Sequence, residues 1–194
     1  MRPSCISGER SSPSSTSASQ SAGRSVSSTG HSSSRKRGAV VGPTKRGKGT
    51  KRMGLADGQG TPLGVSGAAA SPAETTLLHA TLETVAVKQR GPGRPRKRPE
   101  RLITDRGYDR HAVRAARVAQ GIEPIIPARS HNTVATHQDG RKLRRDRRRW
   151  HVERTHAWLQ NFRRVLVRSE RLATLSLGLG HLACALIVLR KVLG

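Results

Sequence analysis

The sequence predicts an α/β fold, a sheet with flanking helices, and three stretches carry that prediction. Residues 101–130, RLITDRGYDRHAVRAARVAQGIEPIIPARS, read in turn as strand, helix and strand, the order that builds α/β sheets. Residues 71–85, SPAETTLLHATLETV, carry the marks of a capped helix. From about Lys142 the apolar spacing is helical almost to the end of the chain.

Residues 1–38 predict no element. Fifteen of the first 34 are Ser, and no run of alternating or helically spaced apolar residues interrupts them. Such a segment lacks the apolar surface to offset the entropy of ordering, so a disordered tail is expected, ending in the basic cluster Arg35-Lys36-Arg37. A single domain over 39–194 follows. Its first part, VGPTKRGKGTKRMGLADGQGTPLGVSGA, offers two strand-like pieces around the Gly-rich turn Asp57-Gly58-Gln59-Gly60. Ser71 as N-cap, Pro72 at the first helical position and Glu74 three residues after the cap make a capping box. Leu77, Leu78, Leu82 and Val85 then keep helical spacing.

Gln89 to Glu100, QRGPGRPRKRPE, is a Pro/Gly/Arg loop whose Gly93-Arg94-Pro95 core looks like an AT-hook; a basic linker is the plainer reading, because the tripeptide is short and the chain so basic. Leu102–Thr104 is a short buried strand with Asp105 at its carboxyl end. Asp109–Gln120 is a helix stopped by Gly121, and Ile122–Ile126 is a strand closed by Pro127. A polar loop (130–140) leads to a long basic helix, about Lys142 to Phe162. Leu172–Leu189 follows, LATLSLGLGHLACALIVL, expected as a buried C-terminal helix. A membrane span is disfavoured, because Thr174, Ser176, Gly178, Gly180 and His181 break its apolarity.

In 194 residues, 37 Lys and Arg face 12 Asp and Glu, for a net charge of +25. That much self-repulsion calls for an anionic partner, nucleic acid before a membrane surface. An RNA-binding protein fits the charge as well. Cys5 and Cys184 have no CxxC-type partner, so a reduced cytoplasmic setting is expected, and the N-terminus has no secretory h-region.

A carboxylate just beyond a buried strand stands where α/β proteins place reactive groups. Asp105 there, with Glu153 on the basic helix, would suit Mg²⁺, which prefers carboxylate oxygens. Two such ions about 4 Å apart can drive phosphoryl transfer. Residue types alone leave plainer readings open: Asp105 as a turn or capping residue, and Glu153 as the partner of Arg149 or Arg154 on a solvated helix face.

A resemblance extends this reading. LITDRGYD followed by GIEPIIPAR, then RRDRRRWHVERTHAWLQNFRR and a terminal HLACALIVLRK, resembles insertion-sequence transposases of the DDE type, in the IS-four/IS-five group. KRGKGTKRMGLADGQGTPLGVSGAAASPAETTLLHATLE matches the same family upstream, so the likeness runs from about Gly38 to Gly194. It implies a ribonuclease-H-like mixed sheet, three acidic residues holding two Mg²⁺ or Mn²⁺ ions, and double-stranded DNA, in intact relatives the transposon ends, as partner. A homo-oligomer and a nucleoid-associated location are compatible with it. By position, Asp105 matches the second catalytic Asp, Glu153 the catalytic Glu, and Arg149 the arginine four residues before it. Asp146 stands where Tyr is usual, Gln160 where Lys is frequent, and His156 where an aromatic is common.

The family's first Asp would fall near Thr29-Gly30-His31, where this chain has no acid; Asp57 matches a non-catalytic turn Asp instead. The resemblance therefore implies an incomplete domain with impaired Mg-dependent cleavage and strand transfer, and an N-terminal segment that looks like sequence read in another frame. A non-catalytic DNA-binding relic is the alternative. Expected to bind DNA are Lys45, Arg46, Lys48, Lys51 and Arg52; Arg94, Arg96, Lys97 and Arg98 in the loop; and Arg147, Arg148, Arg163 and Arg164 on and after the basic helix.

Overall fold

A computed structural model describes residues 24–35, 37–45, 47–88, 92–129 and 149–194. Most of the Ser-rich tail, the polar loop and the first turns of the long basic helix lie outside the described residues, and with them Arg46, Arg147 and Arg148. The strands are β1 (Ser25–Ser34), β2 (Gly42–Thr44), β3 (Gly47–Asp57), β4 (Pro62–Ala69), β5 (Arg101–Ile103) and β6 (Glu123–Ile125). The helices are α1 (Glu74–Glu83), α2 (His111–Ala119), α3 (Trp150–Gln160), α4 (Arg163–Leu166) and α5 (Ala173–Leu193).

β1 lies at the centre of one mixed sheet. It pairs antiparallel with β3, from Val26 opposite Asp57 to Ser34 opposite Gly49, and parallel with β5, Val26 opposite Leu102. β6 continues the parallel side beyond β5, and β4 pairs antiparallel with β3. The short β2 shares that edge of β3. With β2 set aside, the order is β4, β3, β1, β5, β6, and β3 alone runs against the others. This is the ribonuclease-H-like mixed sheet that the resemblance implies.

The domain boundary expected at residue 38 therefore moves. Residues 25–34, read as part of a disordered tail, are the central strand. Neighbours on both sides satisfy the backbone of β1, and they supply most of the apolar surface, so a strand of mostly Ser, Thr and Gly is buried without contributing a large core of its own.

Alternation along the strands makes two helical layers. Val26, Met53, Leu55 and Leu102 face α1, packing with Leu78, Leu82, Val85, Tyr108, Ile122 and Ile126. On the other face α3, α4 and α5 share a second cluster of Leu159, Val165, Ala183 and Ile187. Two expectations change here. The helix predicted from Ser71 starts at Glu74, with Ala73 at its N-cap and no side-chain cap; Glu74 turns away, its Oε2 accepting from Tyr108 Oη at 3.0 Å. The C-terminal helix is present, but it buries only Ser176, Gly180, Ala183 and Ile187, and leaves most of its leucines exposed.

Candidate functional site

Asp105 follows β5 and has extended backbone. Its Oδ1 accepts from Gly107 N at 2.8 Å, capping the short 3-10 turn Arg106–Tyr108. Arg129 braces that turn from behind, donating to Arg106 O and Gly107 O, both at 3.1 Å. The capping role that residue type alone allowed is thus realised, and Asp105 remains exposed to solvent. Glu153 is exposed on α3 and sits 3.3 Å from Arg149 Nε, so of the two arginines open to it the i,i+4 partner is the one it takes.

α3 is held against the sheet by polar contacts that fix its register. Thr155 Oγ1 donates to Gly60 O at 2.6 Å, and Arg154 Nη2 to Gln59 O at 3.0 Å while its guanidinium stacks between Trp150 and Trp158. The His156 ring bonds the backbone of Thr29, and Gln160 Nε2 lies 3.3 Å from His31 Nδ1. Helix and strand therefore run in the same direction, four helix residues (about 6 Å) for every two strand residues (about 6.6 Å). Counting back one helical turn from His156 and two strand residues from Thr29 sets the buried Val152 at the level of Ser27, with Glu153 next in sequence. Ser27 is also the residue opposite Ile103, two before Asp105. The same register sets Asp105 level with Thr29, so the β1 positions between Asp105 and Glu153 that face α3 are Ser27 and Thr29, at the start of the Thr29–His31 segment where the missing acid was expected.

No carboxylate stands anywhere on β1, whose sequence is SVSSTGHSSS. Among the described residues no three His, Cys, Asp or Glu side chains gather to hold a metal ion. Asp57 is spent in its turn: its Oδ1 accepts from Gln59 N and Thr61 N, both at 2.8 Å. Among the described residues the donors at hand, one capping Asp and one Glu paired with Arg149, do not make the three-acid set for two divalent ions.

The two histidines under α3 do not supply it. His156 Nε2 is buried against Gly54, where a side chain would come within 2.5 Å of it, and has no hydrogen-bond partner. Burial, then the neighbouring His31, push the pKa of His156 down to about 4. His31 is itself lowered by burial and by the Arg52 charge. His156 thus fills the commonly aromatic position as a neutral ring.

The expected DNA-binding residues divide. Lys45, Lys48, Arg94, Lys97, Arg98, Arg163 and Arg164 are exposed. Arg52 is not: it is 5% exposed, donating to Val165 O and, at 2.7 Å, to Ser176 Oγ. On β3 it points with Thr50 and Gly54 into the layer that α4 and α5 cover, so its charge holds helices to the sheet. Lys51 donates to Pro72 O at 2.8 Å, and Arg96 is paired with Glu100 at 3.0 Å. The exposed cations are also dispersed. Lys48 lies at the Ser34 end of β1, about five strand residues, on the order of 16 Å, beyond the level of Asp105.

Sequence reasoning missed the Glu74–Tyr108 pair under the sheet. Gly30 makes it possible, since a side chain there would meet Glu74 Oε1 at 2.6 Å. It also missed Arg168, buried and donating to Arg171 O at 3.2 Å and to Thr50 Oγ1. No sequence signal separates these residues from the many exposed arginines.

A mixed sheet of this order, with an acid after β5 and another on the helix over β1, defines a ribonuclease-H-like nuclease or transposase frame. Comparison with known proteins narrows it. Residues 24–188 match the family model described as transposase DDE domain, and the chain belongs to that family, whose members use divalent metal ions. It is 36% identical over 146 residues to the "Putative transposase for insertion sequence element IS402" of Burkholderia cepacia, covering 75% of this chain and 65% of that protein. The chain thus spans about two thirds of that relative's length. Among solved structures, the piggyBac transposase in a cryo-EM synaptic complex with hairpin DNA matches with a TM-score of 0.53 at 10% identity, over 84% of this chain and 46% of that one. That likeness is one of fold.

Proposed function

We propose that this chain is a DNA-binding transposase-domain protein that performs little or no metal-dependent phosphodiester cleavage. The observation that carries the proposal is the absence of any carboxylate on β1, the strand between Asp105 and Glu153. Two-metal catalysis of strand cleavage needs enough ligands, in fixed geometry, to hold both ions. Asp105 and Glu153 alone leave one ion without its set, so cleavage and strand transfer fail at metal binding. Family membership and the exposed cations support double-stranded DNA as the partner, with transposon ends as the sites that a complete relative would hold. In a cell this chain would reside in the cytoplasm, on the nucleoid.

Binding is tested on duplex DNA. Each phosphate neutralised releases counterions, so log affinity should fall linearly with log salt, by about 0.9 per contact. If about six of the exposed side chains engage, raising salt from about 50 to 200 mM should cost on the order of a thousandfold. Sequence preference should be slight, because phosphate contacts position a protein without reading bases. Absence of binding at low salt, a flat salt response, or displacement by single-stranded RNA at equal phosphate concentration would overturn the proposal.

A further inference from the structure

Arg35 and Arg37, expected at the end of a disordered tail, stand in the connection between β1 and β2. Beside them is Arg168, two residues after α4. Ser34, Arg35, Arg37 and Arg168 line an open cleft of about 510 Å³. Gly38 keeps the cleft clear. A side chain on it would lie 3.8 Å from Arg35 Nε and 4.0 Å from Arg168 Nη2, so both guanidiniums border a single point.

Neutral groups hold these cations in place. Arg35 donates from Nε to Arg37 O at 2.7 Å and from Nη1 to Ser169 O. Arg168 is 2% exposed and donates to Val40 O at 3.4 Å, Glu170 O at 3.3 Å, Arg171 O at 3.2 Å and Thr50 Oγ1. Val40 turns its carbonyl inward at a φ of 59°, a conformation that β-branched residues rarely take. Among the described residues, none of Arg35, Arg37 and Arg168 forms an ion pair with a carboxylate. Glu170, the acid nearby, lies 3.6 Å from Arg164 instead. Burial, then the Arg35 charge, disfavour a charged Arg168, and Glu170 offsets them only in part. Nη2 of Arg35 has no acceptor among the described residues, and Nη2 of Arg168 bonds Arg171 O alone, which leaves it an open N–H.

We propose that this cleft is a binding site for a phosphate group, held by Arg35, Arg37 and Arg168. Guanidinium forks match phosphate oxygens, and a tetrahedral group can accept from several forks at once, where a flat carboxylate pairs with one. The anion also offsets the repulsion between cations that the fold has already brought together. Backbone carbonyls fix two of the three guanidiniums beforehand, so little side-chain freedom remains to be lost on binding. The cleft lies at the Ser34 end of β1, on the order of 16 Å beyond the level of Asp105, and is a site separate from the acids. The phosphate has two sources, the backbone of bound DNA or a free phosphate. Only the first rests on the function proposed above.

The test is thermal unfolding of the full chain in inorganic phosphate up to about 20 mM, with chloride holding the ionic strength constant. At about ten times the dissociation constant, phosphate should raise Tm by roughly 3–6 °C. Arg37→Gln should lose most of that rise and keep the native Tm in chloride, because Arg37 supports Arg35 through its backbone carbonyl. Arg110→Gln, at an exposed arginine before α2, should keep the rise. A second arm separates the sources on duplex DNA. Arg37→Gln should lower the salt slope by about 0.9 where the phosphate belongs to the backbone, and an unchanged slope assigns the cleft to a free phosphate. The phosphate arm stands even if DNA binding fails. No saturable rise with phosphate, an equal rise in the native chain and Arg37→Gln, or an equal rise with acetate would overturn the proposal.

Discussion

Acid should loosen this fold well before its carboxylates titrate, and His156 is the reason. Its ring is 8% exposed, bonded to the backbone of Thr29 on one side, with Nε2 facing Gly54 and no acceptor on the other. A proton on Nε2 would be buried with nothing to receive it, beside His31 and within the field of Arg52, which leaves His156 with a pKa of about 4 against an ordinary 6.5. The folded value lies below the unfolded one, so the unfolded chain takes up a proton that the folded chain refuses. Stability is therefore full above about pH 6.5 and falls as pH drops toward about 4. The whole window is worth roughly 3 kcal/mol, of which about 1.4 is lost by pH 5.5. With a urea dependence of about 2 kcal/mol per molar, the unfolding midpoint should fall by about 0.7 M between pH 7.5 and pH 5.5. His156→Phe should lose most of that slope, because the site then holds an aromatic ring with no proton to gain. Equal pH slopes for the native chain and this variant would refute the reasoning.

Other expectations follow from the same geometry. The chain has one tyrosine, and burial together with the Glu74 charge raises Tyr108 above its ordinary range; absorbance should show it ionising at higher pH in the folded chain than in urea, where it should titrate near 10. Tyr108→Phe should cost about 1–2 kcal/mol in thermal unfolding, by removing the donor to Glu74, and no loss would remove that pair from the fold's supports. Arg52→Met should change stability and leave the salt slope of DNA binding intact, whereas Lys48→Ala should lower the slope by about 0.9 if that side chain contacts phosphate; the reverse pattern would contradict the burial of Arg52. Ser27→Asp places a carboxylate between Asp105 and Glu153, so Mn²⁺ at about a hundred times its dissociation constant should stabilise that variant by about 2.7 kcal/mol, and an absent thermal shift would contradict the position assigned to Ser27.

Much of this architecture is legible in the sequence, for physical reasons that differ from element to element. β5, α2 and β6 can be read because Leu102–Ile103 and Ile122–Ile126 are compact apolar runs around a helical pattern. Asp57 can be read as a turn residue because its side chain bonds backbone only two and four residues on. The same locality makes Arg149–Glu153 readable. β1 escapes, since Val26 is its one large apolar residue and its burial comes from β3 and β5. Arg52 escapes because a basic run looks alike on both faces of a strand until helices cover one of them. Tyr108 and Glu74 are 34 positions apart, and nothing in either neighbourhood points to the other. The C-terminal helix was readable as a helix, but its hydrophobicity could not say which side the fold would use.

The missing acid on β1 is tested most directly by nicking of supercoiled plasmid in Mg²⁺ or Mn²⁺, at salt low enough for the chain to bind DNA. The native chain should relax no more plasmid than a variant carrying Asp105→Asn and Glu153→Gln together, while both retain DNA affinity. Metal-dependent nicking by the native chain that those two substitutions abolish would show that the site assembles without a carboxylate on β1, and would contradict the proposed function.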